Sequence, residues 1–390
     1  MTPLRIGVVT HYMPPHQGGI ERVAESLFQA YRQEGWEVRW LASDDPAKAG
    51  EEGGRVRVPT WNVLERRLGV PIPVWGPAAW RRLSELVRWA DVVHVHDCLY
   101  PGSYFAVRWS RRRGVPVFLT QHIGFVEYGL RLLNGIESVA YRTLGRRTLR
   151  GVDRIVLATP SAETWLADLL PAGPAVPPRQ KIYNGIDLER FRPPTPEERR
   201  AEREHLGLDP GGGPVVLFVG RLVEKKGIPV VVETVRRCPE VRFVLVGDGP
   251  LDGMVRELVT ELGSAVVHRP SVAPEEMQRL YWAADAFFLP SYGEGLPLVV
   301  QEAMACGLPA LVSEDEPFSR EVVAAADGGC LSAERTAEAM AAALPALFAE
   351  ERSVAARRHA EAHWGFAAMA GFYGDIVRGL TGDGRGRRHG

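Results

Sequence analysis

The sequence predicts an α/β protein built from two Rossmann-like units with parallel sheets. Three observations carry that expectation. Short β-branched runs alternate with amphipathic helical patterns along the whole chain, as in parallel sheets covered on both faces. The chain has 390 residues, more than one ordinary core accommodates. Proline-rich stretches at 171–180 (PAGPAVPPRQ) and 193–196 (PPTP) break the pattern, and Gly211–Pro214 opens a new strand.

The elements follow in order. Strand runs are expected at Leu4–Thr10, Val38–Ala42, Val92–His96, Val117–Thr120 and Arg154–Ala158 in the first half. Val215–Val219, Val241–Val246, Ala286–Leu289 and Pro309–Val312 continue the series in the second. Helical periodicity marks Ile20–Glu34, Ala79–Trp89 and Pro229–Arg237 among the connecting segments. The expected organisation is a first domain over 1–188 and a second over 189–362. A terminal helix over 363–380 and a disordered tail over 381–390 follow.

Bulk properties narrow the class. Hydrophobic residues make up 45% and charged residues 24%, a soluble globular profile. No run of about 18 apolar residues predicts a membrane span. MTPLRIGVVT passes into polar HYMPPHQGG, too short a run for a secretory signal and well suited to a first strand. Cys98, Cys238, Cys306 and Cys330 are dispersed without metal-ligand spacing, so each is expected to be a small buried hydrophobe in a reducing cytoplasm. The net charge of −1 conceals a polarity. Residues 1–190 carry a net +6 and the remainder a net −7, with 14 basic against 6 acidic side chains over 60–150. A basic half favours an anionic partner, although solvated faces produce the same imbalance.

Several segments place reactive groups at strand ends, where α/β sheets bind ligands. After the first strand, Gly18-Gly19 precedes a helix; glycines there let backbone amides approach phosphate, or simply make a flexible loop. This is not GxGxxG, which disfavours a dinucleotide-dependent oxidoreductase. GRLVEKKG (220–227) follows a strand, and Arg221 and Lys226 can hold a diphosphate by charge-assisted bonds. Asp248 in VGDGP is expected to serve a structural turn. Backbone near Val272, in HRPSVAPEEM, can meet a flat base.

SYGEGLPLVVQEAMACGLP (291–309) is the most informative stretch. Gly293 and Gly295 flank Glu294. Pro297 is expected as the first helical residue and Gly307 as the residue after the last. The helix between is apolar nearly all round, so it is expected to be buried, and Glu302 with it. A buried carboxylate needs donors: hydroxyls of a ligand, or a neighbouring arginine. The Gly295 and Leu296 amides stand at the helix's positive end, suited to phosphate. In the first half, VVHVHD (92–97) and FLTQHIG (118–124) end two strands with His94, His96, Asp97 and His122. They lack the spacing of a zinc site, and no metal is expected.

Taken together, THYMPPHQGGIERV, FLTQHIG, IYNGIDLERF, GRLVEKKG, VGDGP and YGEGLPLVVQEAMACGLP resemble glycosyltransferase family 4 over nearly the whole chain. The resemblance implies a GT-B fold, two Rossmann-like domains facing a central cleft, and retaining transfer of a sugar from a nucleotide-sugar donor. It implies that Arg221 and Lys226 bind the donor diphosphate and that Glu302 holds the ribose. Glu294 would meet the transferred sugar with Gly295 and Leu296 beside it, and Val272 the base. Gly19 would approach the diphosphate and His122 the donor sugar at the reacting face. The catalytic set is therefore Glu294, His122, Arg221 and Lys226. The co-substrate is expected to be a UDP- or GDP-sugar, with no cofactor otherwise.

Arg221, Lys226 and a helix N-terminus would stabilise charge growing on the leaving diphosphate. With no Asp-x-Asp in the sequence, a metal is not needed for that role. The acceptor is an unidentified hydroxyl, lipid-linked in one reading. Basic, apolar segments at 106–114 and 129–151, with Arg142, Arg146 and Arg150 four residues apart, suit peripheral contact with an anionic membrane or an ordinary solvated face. No nucleic-acid module is recognised. The alternatives are a nucleotide-sugar epimerase or hydrolase of the same fold, and a non-catalytic nucleotide-sugar-binding protein.

Overall fold

The computed structural model describes residues 3–14, 19–44, 49–61, 74–122, 131–171, 173, 176–292 and 295–382. Glu294, Gly18 and the tail from 383 onward lie outside the described residues. The chain divides into two compact units, Met1–Asn184 with Ala367–Gly390, and Gly185–Phe366.

In the first unit the strands are β1 (Arg5–Tyr12), β2 (Glu37–Asp44), β3 (Gly50–Glu52), β4 (Arg55–Trp61), β5 (Val74–Trp75), β6 (Val92–His96), β7 (Val117–Gln121), β8 (Arg154–Leu157) and β9 (Arg179–Lys181). Their order is β3-β4-β2-β1-β6-β7-β8-β9, with β5 paired to β4. The central pairings are parallel; β3 and β5 meet β4 antiparallel. Strands β6 and β7 are buried at every residue, including the polar His94, His96, Thr120 and Gln121. Helices Pro77–Trp89 and Pro101–Arg113 bury Leu83, Leu86, Ala106 and Val107 in the core that covers them. Within the basic segment, residues 131–150 form helix Arg131–Ala140, a π-helical turn Tyr141–Gly145 and helix Arg146–Arg150. One side of this segment sends Tyr141 and Leu149 into the core, while Ile136 and Val139 are 57% and 62% exposed.

The last helix, Phe366–Gly382, runs into the segment expected to be a disordered tail. Its Tyr373 hydroxyl hydrogen-bonds Thr120 Oγ1 at 3.0 Å, beneath the end of β7.

In the second unit, β10 (Val215–Val219), β11 (Arg242–Val246), β12 (Val266–Arg269), β13 (Ala286–Leu289), β14 (Ala310–Ser313) and β15 (Cys330–Ala333) lie in the order β12-β11-β10-β13-β14-β15. Numbered from β10, this is the 3-2-1-4-5-6 order of a doubly wound sheet, all parallel. Its topological switch point falls between β10 and β13. The stretch 185–191 is anchored to this unit. Ile186 exchanges backbone hydrogen bonds with Trp364 and Phe366, and Arg357 Nη1 donates to the carbonyls of Phe191 and Ala305. All four cysteines are buried free thiols, as expected; burial pushes Cys330 up to about 12.

Candidate active site

The loops at the switch point interlock, and glycine makes this possible. Gly247 has φ +136° and Gly249 φ +155°. A Cβ at Gly247 would lie 1.9 Å from the Gly220 carbonyl oxygen, and one at Gly249 would lie 2.6 Å from that of Leu222. Only glycine lets the VGDGP turn close onto the loop after β10. Leu222 N–H donates to the Asp248 carbonyl at 2.7 Å and Leu251 N–H to the Leu222 carbonyl at 2.9 Å. Asp248 thus contributes backbone to a turn. On the other side, Gly227 has φ +74°, and a Cβ there would come within 2.2 Å of the Pro290 carbonyl oxygen. Tyr292 N–H reaches the Lys225 carbonyl at 3.0 Å, joining the loops that leave β13 and β10 across the switch point.

On this platform Arg221 is exposed and Lys226 half-buried, its stem packed against Gly220. The Arg221 side chain makes no hydrogen bond or ion pair among the described residues, so its guanidinium is available to an anion. The helix Leu298–Ala305 begins close by in sequence to Tyr292. Pro297 is its N-cap, so the helix starts one residue later than expected, and no side chain among the described residues caps the amides of the first turn. A proline at the cap still starts the helix, because its missing N–H would have no helical partner there. The other end matches expectation: Gly307, at φ +78°, follows the C-cap Cys306. Gly307 N–H bonds the Met304 carbonyl and Leu308 N–H that of Ala303, the paired closure of a Schellman motif. Leu296 is buried and Gly295 half-buried at the approach to the helix.

Glu302 is buried, 9% exposed. Its Oε2 accepts from the Tyr281 hydroxyl at 2.8 Å. One partner is thus a tyrosine from the helix Met277–Ala283, a donor of a third kind beside the ligand hydroxyl and the arginine. Val272 is half-buried after β12 and lines a cavity of about 120 Å³ with Arg269, Ser271 and Glu276 among others.

In the first unit the ends of β6 and β7 form a buried polar cluster. Parallel pairing sets His96 opposite Thr120, so the next residue of β7's run, Gln121, and then His122 follow beside it. His96 Nδ1 and His122 Nε2 are 2.8 Å apart. His94 is held by Tyr31 at 3.2 Å on Nδ1 and by Thr120 at 2.8 Å on Nε2. Asp97, at φ 55°, accepts the His122 backbone N–H on Oδ1 at 2.9 Å, and the Thr159 hydroxyl donates to the His122 carbonyl at 3.1 Å. Desolvation lowers His122 to about 3 and holds His94 and His96 well below the usual histidine range. All three rings are neutral at pH 7. Gly19 starts the helix Gly19–Gln33 after β1.

The structure therefore gathers Arg221, Lys226, Gly295 and Leu296 around one switch point of the second unit. It places His122 just past the carboxyl end of β7 and Gly19 at the start of the helix that follows β1. The partners Tyr281 of Glu302 and His96 of His122 escaped the sequence reading, because contacts between residues 21 and 26 positions apart leave no local signature.

Residues 199–363 match the family model described as glycosyl transferases group 1, and residues 17–190 match glycosyltransferase family 4. The D-inositol 3-phosphate glycosyltransferase of Mycobacterium leprae (strain Br4923) is 34% identical over 261 residues, spanning 63% of this chain and 55% of that protein. Its counterpart in Mycobacterium marinum (strain ATCC BAA-535 / M) is 32% identical over 256 residues, 63% of this chain and 50% of that protein. The chain thus spans about half the length of these curated relatives. Sucrose-phosphate synthase from Thermosynechococcus elongatus superposes with a TM-score of 0.75 at 22% identity, over 97% of this chain and 100% of that one. Anabaena HepE, solved with UDP and glucose, superposes with a TM-score of 0.70 at 17% identity, over 96% and 100%. At these identities the likeness concerns the GT-B fold.

Proposed function

Since the chain belongs to glycosyltransferase family 4, with group 1 and family 4 models matching its two halves, we propose that it transfers a sugar from a nucleotide diphosphate sugar to an acceptor hydroxyl. The observation that carries this reading is the switch point between β10 and β13. There the exposed Arg221 side chain, the half-buried Lys226 and a helix start with no side-chain cap among the described residues converge on loops locked by glycines.

The chemistry follows from charge. When the glycosidic bond breaks, negative charge grows on the leaving diphosphate. Fixed positive groups stabilise that growth more than they stabilise the bound donor. Arg221 and Lys226 supply full charges, and the Gly295–Leu296 amides and helix start supply oriented dipoles. This set meets the need without a metal. Glu302, held by Tyr281, takes the ribose hydroxyls; Val272 takes the base; Glu294 reads the sugar hydroxyls. His122 and Gly19 serve the sugar and the diphosphate from the first unit. We assign retention to a front-face displacement in which a departing phosphate oxygen receives the acceptor proton. A glycosyl adduct trapped on Glu294 would exclude it. HepE, solved with UDP and glucose, supports testing UDP-glucose first. The curated relatives are named for an inositol 3-phosphate acceptor, so polyol phosphates head the acceptor panel.

The acceptor reaches the first unit, whose exposed Ile136, Val139 and Arg142 share one segment. We assign that segment to peripheral contact with an anionic membrane on the cytoplasmic side. No helix among the described residues is long and apolar enough to cross a membrane. Sedimentation with phosphatidylserine vesicles at low salt should retain the protein; its loss from the pellet would remove this assignment.

The direct test measures nucleotide release from UDP-, GDP-, ADP- and dTDP-sugars, with and without acceptors and with EDTA. Acceptor-dependent release that survives EDTA and fails in Glu294→Ala is expected. Release or rearrangement without any acceptor would favour a hydrolase or epimerase. Binding with no release would favour a nucleotide-sugar-binding protein.

A further inference from the structure

The His96–His122 pair has only one proton to share, and the surroundings decide which ring holds it. The ring planes lie within 7° of each other with centroids 5.1 Å apart, so the 2.8 Å contact is an in-plane hydrogen bond. Both rings are buried and neutral, so each carries one N–H and one bare nitrogen. If His122 Nε2–H donates, His96 must carry its own proton on Nε2. That atom is fully buried and has no partner among the described residues, so an N–H would be orphaned there. If His96 Nδ1–H donates, Nε2 is only a bare acceptor. Orphaned buried N–H groups are the rarer of the two.

We infer that His96 is a positioning residue: it donates Nδ1–H to His122 Nε2 and thereby fixes His122 as the Nδ1–H tautomer. His122 then presents a hydrogen-bond donor on its remaining edge. That edge is not sealed, since Nδ1 is absent from the buried unpartnered atoms and the residue retains 5% exposure. A donor suits a sugar oxygen. It also removes His122 from the role of base, because its only basic nitrogen is spent on His96. The backbone of His122 is clamped on both sides by Asp97 and Thr159, so the ring bond to His96 sets the remaining rotation. The function of the donor edge rests on the transferase reading; the tautomer does not.

The test uses the full chain labelled with ¹⁵N-histidine, observed by long-range ¹H–¹⁵N correlation at pH 7, with His122→Gln identifying the signal. A protonated Nδ1 and a bare Nε2 are expected in the parent. His96→Asn places an amide N–H where Nδ1 was and should retain that pattern. His96→Leu removes the donor and frees the rotation of the ring, so it should lower kcat about tenfold at unchanged donor KM, as for one lost hydrogen bond. An Nε2–H pattern in the parent, loss of the Nδ1–H pattern in His96→Asn, or an unchanged kcat in a folded His96→Leu overturns the inference. If His96→Leu does not fold, the parent and His96→Asn spectra decide alone. If the tautomer pattern holds while no donor sugar is transferred, the proposed function fails and the positioning role stands.

Discussion

The Tyr281 hydroxyl donates to Glu302 Oε2 at 2.8 Å, and both side chains are buried. A carboxylate in that setting needs donors to stay ionised. Tyr281 orients this carboxyl through one oxygen, and in the proposed function the group meets the ribose. Tyr281→Phe removes that donor without changing the shape. A hydrogen bond to a charged group contributes about 1.5–3 kcal/mol, so urea unfolding should show a loss of that order. Donor KM should rise several-fold while kcat falls little, since the ribose is remote from the breaking bond. A parent-like KM would remove Glu302 from the donor site.

The glycines at the switch point predict opposite signs at two positions. Gly247→Ala puts a Cβ 1.9 Å from the Gly220 carbonyl oxygen at φ +136°. The turn must open, at a cost of roughly 2–3 kcal/mol, and thermal melting should fall accordingly. Gly253 lies in the helix Asp252–Leu262 with nothing within 4 Å of an added Cβ. Gly253→Ala should stabilise by roughly 0.5–1 kcal/mol. Nucleotide binding should weaken in the first and persist in the second. Calorimetry with UDP checks this.

Legibility in the sequence tracks burial. Strands β10, β11 and β13 are buried, β-branched or aromatic runs, and their expected and observed spans agree within a residue. β12 and β15 are half-exposed, and VVHR and CLSA carry no strong period. β4 alternates apolar and polar residues, but Pro59 disguised it. In the site, Arg221, Lys226 and the helix around Glu302 could be read because glycines and strand ends sit next to them in sequence. The His94–Tyr31 and Thr120–Tyr373 bonds join residues 63 and 253 positions apart. Only the fold brings them together.

Acid should destabilise the first unit through its buried histidines. His122 titrates near 3 when folded, against an ordinary value of 6.5. Below 6.5 the unfolded chain binds the proton that the folded chain refuses, so stability falls as pH drops from about 6.5 toward 3 and is untouched above 6.5. At pH 5 the loss from this group is on the order of 2 kcal/mol. His122→Gln removes it, so denaturation midpoints from pH 7 to pH 5 should decline less steeply than in the parent. Equal slopes would show that His122 is protonated as easily folded as unfolded.

Arg221 and Lys226 should separate catalysis from folding. Arg221 is exposed and has no partner among the described residues, so Arg221→Ala should change stability by no more than about 0.5 kcal/mol. If it stabilises the leaving diphosphate, its loss acts on the transition state. Removing one preorganised group of this kind costs about 10²–10³ in kcat. Lys226→Ala should behave alike in kcat but shed some packing against Gly220, with a small drop in melting temperature. Arg221→Lys keeps the charge and loses the fork, so it should recover only part of the rate. A solvated surface arginine would instead leave kcat untouched in every variant. Steady-state nucleotide release beside thermal melting distinguishes the two, because only a leaving-group role lowers rate while the fold stays intact.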